Sequence, residues 1–139
     1  MNEALKEARK GICKDEIPVG VVIVKNDKIV SKAHNLKVKK NNPIEHAEII
    51  AIRRACNKLK DWRLKDCTMY VTLEPCIMCM GAIIESRVNM VVCGCKNNKY
   101  HNFIDYIKNF YKVTFECEVL EQECSEILKT FFEIKRKKN

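Results

Sequence analysis

An α/β fold, a three-layer α/β/α sandwich about a central mixed five-stranded sheet, is what this sequence predicts. Three observations carry it. Apolar residues recur at helical spacing in four segments, β-branched runs of strand length fill five others, and the two kinds interleave along the chain. Interleaved strands and helices cover both faces of one sheet, because each element must bury its apolar side. With 139 residues, one domain over 1–139 is expected.

Residues 2–12 set Ala4, Leu5, Ala8 and Ile12 at helical spacing. A β-branched run over 18–24 follows, and Asn26-Asp27 is a turn signal leading into Lys28-Ile29-Val30, which together read as a hairpin. Residues 36–44 form a basic, Asn-rich loop. From His46 the helical spacing returns through Ala47, Ile50, Ala51, Ala55 and Leu59. Residues 68–73 read as a strand stopped by Pro75, 76–86 as a helix, and 88–93 as a strand closed by Gly94. Residues 112–119 alternate like a strand, and 120–137 form a last amphipathic helix in which Phe131 and Phe132 take core positions.

Composition narrows the class. No stretch reaches the ~18 apolar residues of a membrane span. The first residues carry acids and no apolar run, so a cytoplasmic address without a signal peptide is expected. Nine cysteines in a reducing compartment point to metal, catalysis or packing rather than to a disulfide framework. Cys13, Cys56, Cys67, Cys93, Cys117 and Cys124 read as small buried hydrophobes. The formal charge of +8 favours a polyanionic partner, although a lysine-rich solubilising surface has the same composition.

Two segments carry chemistry: His46-Ala47-Glu48 and Pro75-Cys76-Ile77-Met78-Cys79. Both fall where a helix begins. Cysteines at i and i+3 share a helix face, and the helix N-terminus favours their thiolates. A structural zinc would need four protein ligands. His46, Cys76 and Cys79 make three, and no second pair of the same spacing closes the set, so one Zn2+ per subunit with an open position for water is expected. Zinc would lower the pKa of that water towards ~7. Glu48 would take its proton, pass it to a ring nitrogen, and carry a second to a departing amine. Alone, His-x-Glu also suits a helix-start carboxylate facing the macrodipole, and Cys-x-x-Cys suits redox chemistry or half a zinc ribbon.

Taken together, the two segments resemble the paired motif of zinc-dependent base deaminases. More specifically, the chain resembles the bacterial-type tRNA-specific adenosine deaminases of the cytidine deaminase-like superfamily, from about Ala4 to Phe132. The resemblance rests on Ile17-Pro18-Val19-Gly20, His34-Asn35, His46-Ala47-Glu48-Ile49, Asp61-Trp62-Arg63-Leu64, residues 72–82 and Glu123-Cys124 leading to Phe131-Phe132. It implies a cytidine deaminase-like fold, a homodimer, and conversion of the wobble adenosine of a tRNA anticodon loop to inosine. It also implies purine recognition by Asn35, and a pocket lined by Val19, Glu74 and Pro75. RNA contacts would fall on Lys37, Lys39, Lys40, Lys96, Lys99 and the terminal Lys135 to Lys138, with Arg136 and Lys137 among them. Asn97 stands where the family has Asp, in a loop without the family's glycines, which leads us to expect a looser preference for RNA over DNA. His34 is read as packing and His101 as a surface residue. A free nucleobase or nucleoside deaminase of guanine or cytosine type, and a metal-stabilised binding module, stay open alternatives.

Overall fold

A computed structural model describes residues 1–138, apart from the side chains of His101 and Lys108. The chain begins with helix α1 (Asn2–Ile12), followed by strands β1 (Gly20–Lys25) and β2 (Lys28–His34), helix α2 (Ala47–Leu59) and strand β3 (Cys67–Leu73). Helix α3 (Ile77–Glu85), strand β4 (Met90–Cys95), helix α4 (His101–Lys108), strand β5 (Thr114–Glu116) and helix α5 (Glu121–Lys138) complete it. The five strands form one sheet in the order β2-β1-β3-β4-β5. The β1 strand is antiparallel to both neighbours, whereas β3–β4 and β4–β5 are parallel, so the sheet is mixed, as the interleaved pattern predicts.

Each boundary has a local cause. Asn26 and Asp27 both have positive φ, 49° and 58°, the backbone of a two-residue hairpin turn whose twist matches the strands it joins. Helices α1 and α5 pack on one face of the sheet and α2 and α3 on the other, with α4 against α3. The main core lies on the α2/α3 face, where Val21 and Ile23 of β1, Met69 and Val71 of β3 and Val91 of β4 meet Ile50, Met80 and Ile83. On the opposite face Gly20 is required. A Cβ there would collide with the backbone of α1 at Ala4 and Ala8, so its absence lets α1 lie on β1.

The structure corrects four expectations. Gly94 lies inside β4, which runs on to Cys95, because a Cβ at Gly94 would strike Cys124 of α5; the glycine admits a helix instead of ending a strand. The strand expected over 112–119 shrinks to Thr114–Glu116, since β5 is an edge strand bonded only to β4. Helix α4 is an addition to the elements the sequence predicts. Its Ile104 and Ile107 are buried against the core, but eight residues give periodicity little to register. The cysteines divide as well: Cys67 and Cys124 are buried, Cys56 is half-buried and Cys13 is exposed. Cys93 and Cys117 are joined in a disulfide, because β4 and the segment after β5 bring their Cα atoms to 4.6 Å.

Candidate active site

The C-terminal end of the central strand β3 gathers the residues singled out above. His46 and Cys76 are the N-cap residues of α2 and α3, both in extended backbone, so two helix N-termini converge on one point. The His46 Nδ1 lies 3.7 Å from the sulfur of Cys76 and 3.7 Å from that of Cys79. Tetrahedral zinc with its usual bond lengths to nitrogen and sulfur separates its ligand atoms by ~3.6 Å. The two nitrogen–sulfur separations therefore match edges of a zinc tetrahedron, the three donor atoms all lie within 4.8 Å of one another, and they are the donors zinc takes. Their ionisation is linked through shared protons. The Cys76 thiol is pulled down to about 4, first by its hydrogen bond with Cys79 and then by His46. Its partner Cys79 is driven up by that same hydrogen bond and by burial, so the pair shares one negative charge. The His46 imidazole is raised, chiefly by its hydrogen bond with Cys76.

Glu48, in the first turn of α2, is buried beside this cluster and interacts with the Cys79 thiol. Burial pushes its carboxyl up to about 7, outweighing the nearby His46. Such a group accepts and releases protons at neutral pH.

The first turn of α2 is held from outside the helix. Neither helix N-cap makes a side-chain cap bond, and in α2 the Ala47 N–H donates instead to Asn35 Oδ1 at 2.8 Å. The Asn35 Nδ2 donates to the Ile17 carbonyl at 3.2 Å. Each end of this amide keeps one further bonding direction, and Asn35 lines the cavity. One asparagine thus fixes the residues on either side of Ala47 and presents polar atoms to a ligand.

The cavity has a volume of about 620 Å³, with His46, Glu48 and Cys76 in its wall. That is the size of a small-molecule site. Val19, Asn35, Glu74 and Asn97 also line it, whereas Pro75 is buried without being among the lining residues. Glu74 Oε2 accepts the Asn97 N–H at 3.0 Å, and Asn97 Oδ1 accepts the Lys99 N–H at 3.2 Å, so the 96–100 loop is tied down by hydrogen bonds where glycines are missing. Lys37, Lys96 and Lys99 reach the cavity, although Lys96 also pairs with Glu118 at 2.9 Å. Arg136 lines an adjoining groove along α5. Lys39, Lys40, Lys135 and Lys137 lie outside the lining, with Lys40 paired to Glu45 and Lys135 to Asp15.

Sequence reasoning missed several lining residues. Phe132, expected in the core, is 44% exposed and borders the cavity with Leu128, while Phe131 takes the buried position. Ile17, inside the Ile17-Pro18-Val19-Gly20 segment, and Tyr100, which belongs to no motif singled out above, line it too. Glu16 is almost wholly buried and accepts the N–H groups of Val38 and Lys39, anchoring the loop that carries Lys37. His34 is largely buried and bridges Glu7 and Lys14. The side chain of His101 lies outside the described residues. Trp62 sits at the far end of the sheet, before β3 begins, flanked by the guanidinium groups of Arg63 and Arg87.

This sandwich, with its His/Glu/Cys/Cys cluster beyond the C-terminal end of the central strand, is of the deaminase class, and the family model of MafB19-like deaminases matches residues 1–136. A tRNA-specific adenosine deaminase of Buchnera aphidicola is 48% identical over 130 residues, covering 88% of this chain and 79% of that protein. Within the class, the chain belongs to the tRNA-specific adenosine deaminase family. A solved tRNA:A34 deaminase, of the kind that performs A-to-I editing at the wobble position of transfer RNA, superposes with a TM-score of 0.85 at 34% identity, covering 92% and 97% of the two chains. A guanine deaminase from Nitrosomonas europaea shares the fold with a TM-score of 0.84 at 23% identity, covering 94% and 81%. The backbone alone does not separate these substrates.

Proposed function

We propose that this chain hydrolyses the wobble adenosine of a tRNA anticodon loop to inosine and ammonia, in the cytoplasm, with residues 1–139 acting as one catalytic domain. The observation that carries the reading is the pairing of the His46 nitrogen, 3.7 Å from each of the Cys76 and Cys79 sulfurs, with a buried, neutral-range Glu48 beside them. His46, Cys76 and Cys79 would hold one Zn2+ per subunit. When bound, that ion supplies Lewis acidity, which makes water nucleophilic at neutral pH.

The chain's own residues do the rest. Glu48 takes a proton from the attacking water and gives it to N1 of the adenine ring as the C6–O bond forms. It then takes the remaining hydroxyl proton and delivers it to the C6 amine. The C–N bond breaks, ammonia leaves, and the C6 carbonyl of inosine remains. Water is consumed and no redox step is needed. Asn35 offers its spare amide donor and acceptor directions to the purine edge while capping α2. Val19 and Leu73 supply apolar contact, and the Glu74–Asn97 pair closes the side of the cavity. An anticodon loop presents unpaired bases, so extruding one into the site costs little. Lys37 and Lys99 at the mouth suit the flanking phosphates. The guanine or cytosine alternative accounts less well for this basic rim and for the tRNA-specific relatives at 41–48% identity.

A homodimer accords with the exposed Ile77 of α3 and with Gly81 one turn on, where an added Cβ would meet nothing; this leaves a small, uncharged strip open to a second copy. The deciding experiment offers an anticodon stem-loop with adenosine at the wobble position beside free adenosine, guanine and cytidine. Inosine formed in the stem-loop by the wild type but not by Glu48→Ala supports the assignment. Turnover of a free base or nucleoside alone overturns it, and a Glu48→Ala variant with unchanged function would leave only a metal-stabilised binding module.

A further inference from the structure

The Cys93–Cys117 disulfide lies against the wall of the cavity. Cys93 belongs to β4 and Cys117 follows β5, 24 residues later, with α4 and β5 in the loop they close. Cys93 is fully buried and Cys117 half-buried. An oxygen of the Glu74 carboxylate and the two sulfurs all lie within 4.8 Å of one another. Glu74 is the residue that lines the cavity and accepts the Asn97 N–H. Two residues past Cys117, the Val119 N–H donates to the Cys93 carbonyl, just before α5 brings Leu128 and Phe132 to the same cavity. The bond thus joins the strand behind Glu74 to the lead-in of the helix that walls the site.

We propose that Cys93 and Cys117 are a thiol–disulfide modification site, oxidised by hydroperoxides, and that their bond secures the Glu74–Asn97 side of the cavity and the start of α5. A hydroperoxide reaches Cys117 first, because it is the more exposed sulfur. The O–O bond breaks, an S–O bond forms, and the products are a Cys117 sulfenic acid and an alcohol, or water when the oxidant is hydrogen peroxide. The Cys93 sulfur then attacks the Cys117 sulfur, and the oxygen leaves as water with the Cys93 proton. Two thiols have lost two electrons and two protons, and one peroxide has taken them up. In the reduced state both S–H groups face the Glu74 carboxylate and compete with Asn97 for it. A disulfide carries no S–H, and it also constrains the intervening loop. In a reducing compartment such a bond acts as a sensor rather than a permanent staple.

The test compares zinc-loaded full-length protein after hydrogen peroxide with the same protein after dithiothreitol. Peptide mapping, thermal melting and the KM for the stem-loop are the readouts, and only the last rests on the deaminase reading. We expect a linked peptide pair containing Cys93 and Cys117, a melting temperature higher by roughly 5–10 °C in the oxidised form, and a severalfold lower KM with little change in kcat. Cys117→Ser, at a half-exposed position, should abolish both differences. Absence of the linked peptide, or a linkage that moves neither melting nor KM, overturns the proposal. Protein inactive on the stem-loop in both states would defeat the deaminase reading alone, while the peptide map and melting curve still decide the redox site.

Discussion

Glu48 and Asn35 carry the sharpest consequences at the scale of single residues. Glu48→Gln preserves the side chain's shape and removes its capacity to shuttle protons, so kcat should fall by about 10²–10⁴-fold while zinc content, measured by elemental analysis, stays at one per subunit. Loss of zinc together with activity would make Glu48 a structural residue instead. Asn35 has two duties that separate chemically. Asn35→Asp keeps an oxygen for the Ala47 N–H but gives up the donor that faces Ile17 and the cavity; Asn35→Ala gives up both. Melting temperature should therefore drop more for Ala, whereas both variants should raise KM. Equal melting for the two variants would show that the cap is dispensable. Asn97→Asp retains the oxygen that accepts the Lys99 N–H and loses the amide that meets the Glu74 carbonyl. If the wild-type asparagine relaxes discrimination against DNA, the variant should deaminate a single-stranded DNA loop more slowly; equal DNA rates would remove Asn97 from specificity.

The elements around the site depend on paired charges, and one pair makes α1 sensitive to acid. Glu7 of α1 is buried, and burial opposes its ionisation. Hydrogen bonds from Lys10 and His34 more than offset this and hold its carboxyl below the usual 4.5. His34 of β2 is likewise lowered from 6.5, first by burial, with the Glu7 bond opposing. Both groups bind protons more readily in the unfolded chain, so stability rises with pH across their range. The contribution of His34 is present in full above 6.5 and lost as pH falls below it, and that of Glu7 is lost below 4.5. Melting temperature should decline from pH 7 downward and fall again below pH 4.5, and Glu7→Gln should flatten the second descent; an unchanged profile in that variant would place the acid sensitivity elsewhere. At the neighbouring loop, the buried Glu16 carboxylate holds residues 38 and 39 by their backbone, which fixes the stem of Lys37.

Charge acts over the whole molecule. The net +8 does not bind RNA uniformly, because several cations are already engaged: Lys96 by Glu118, Lys40 by Glu45 and Lys135 by Asp15. Lys37 and Lys99 line the cavity, and neither forms one of these ion pairs. Affinity for the stem-loop should fall as salt rises, and removing one lysine that neutralises a phosphate should reduce the log–log slope by ~0.7. Lys37→Ala and Lys99→Ala are expected to show that reduction, and Lys96→Ala a smaller one, since Lys96 must leave Glu118 to reach a phosphate. Equal slopes for all three would mean that the ion pair does not limit Lys96.

The order of elements and the metal-type cluster could both be read in the primary structure, for physical reasons. Periodicity of 3.6 or 2 follows from backbone geometry, and segments as long as α2 or as β-branched as β1 express it strongly. Cysteines three apart at a helix start must share a face wherever that helix packs. Other features depend on distant segments meeting. Helix α4 is too short to declare itself and exists because Ile104 and Ile107 find a core. Gly94 reads locally as a stop, yet its meaning comes from α5 across the sheet. Phe131 and Phe132 are adjacent residues of like hydrophobicity, and only the rotation of α5 against β4 sends one inward and the other to the cavity. Cys93 and Cys117 are 24 residues apart with nothing local to pair them; parallel pairing of β4 with β5 aligns the two. Asn35 as the external cap of α2 is the same kind of fact, since a hydrogen bond over twelve residues is set by the path of the chain rather than by spacing. Local chemistry and periodicity travel with the chain, whereas caps, collisions and cross-links form only where packing brings segments together.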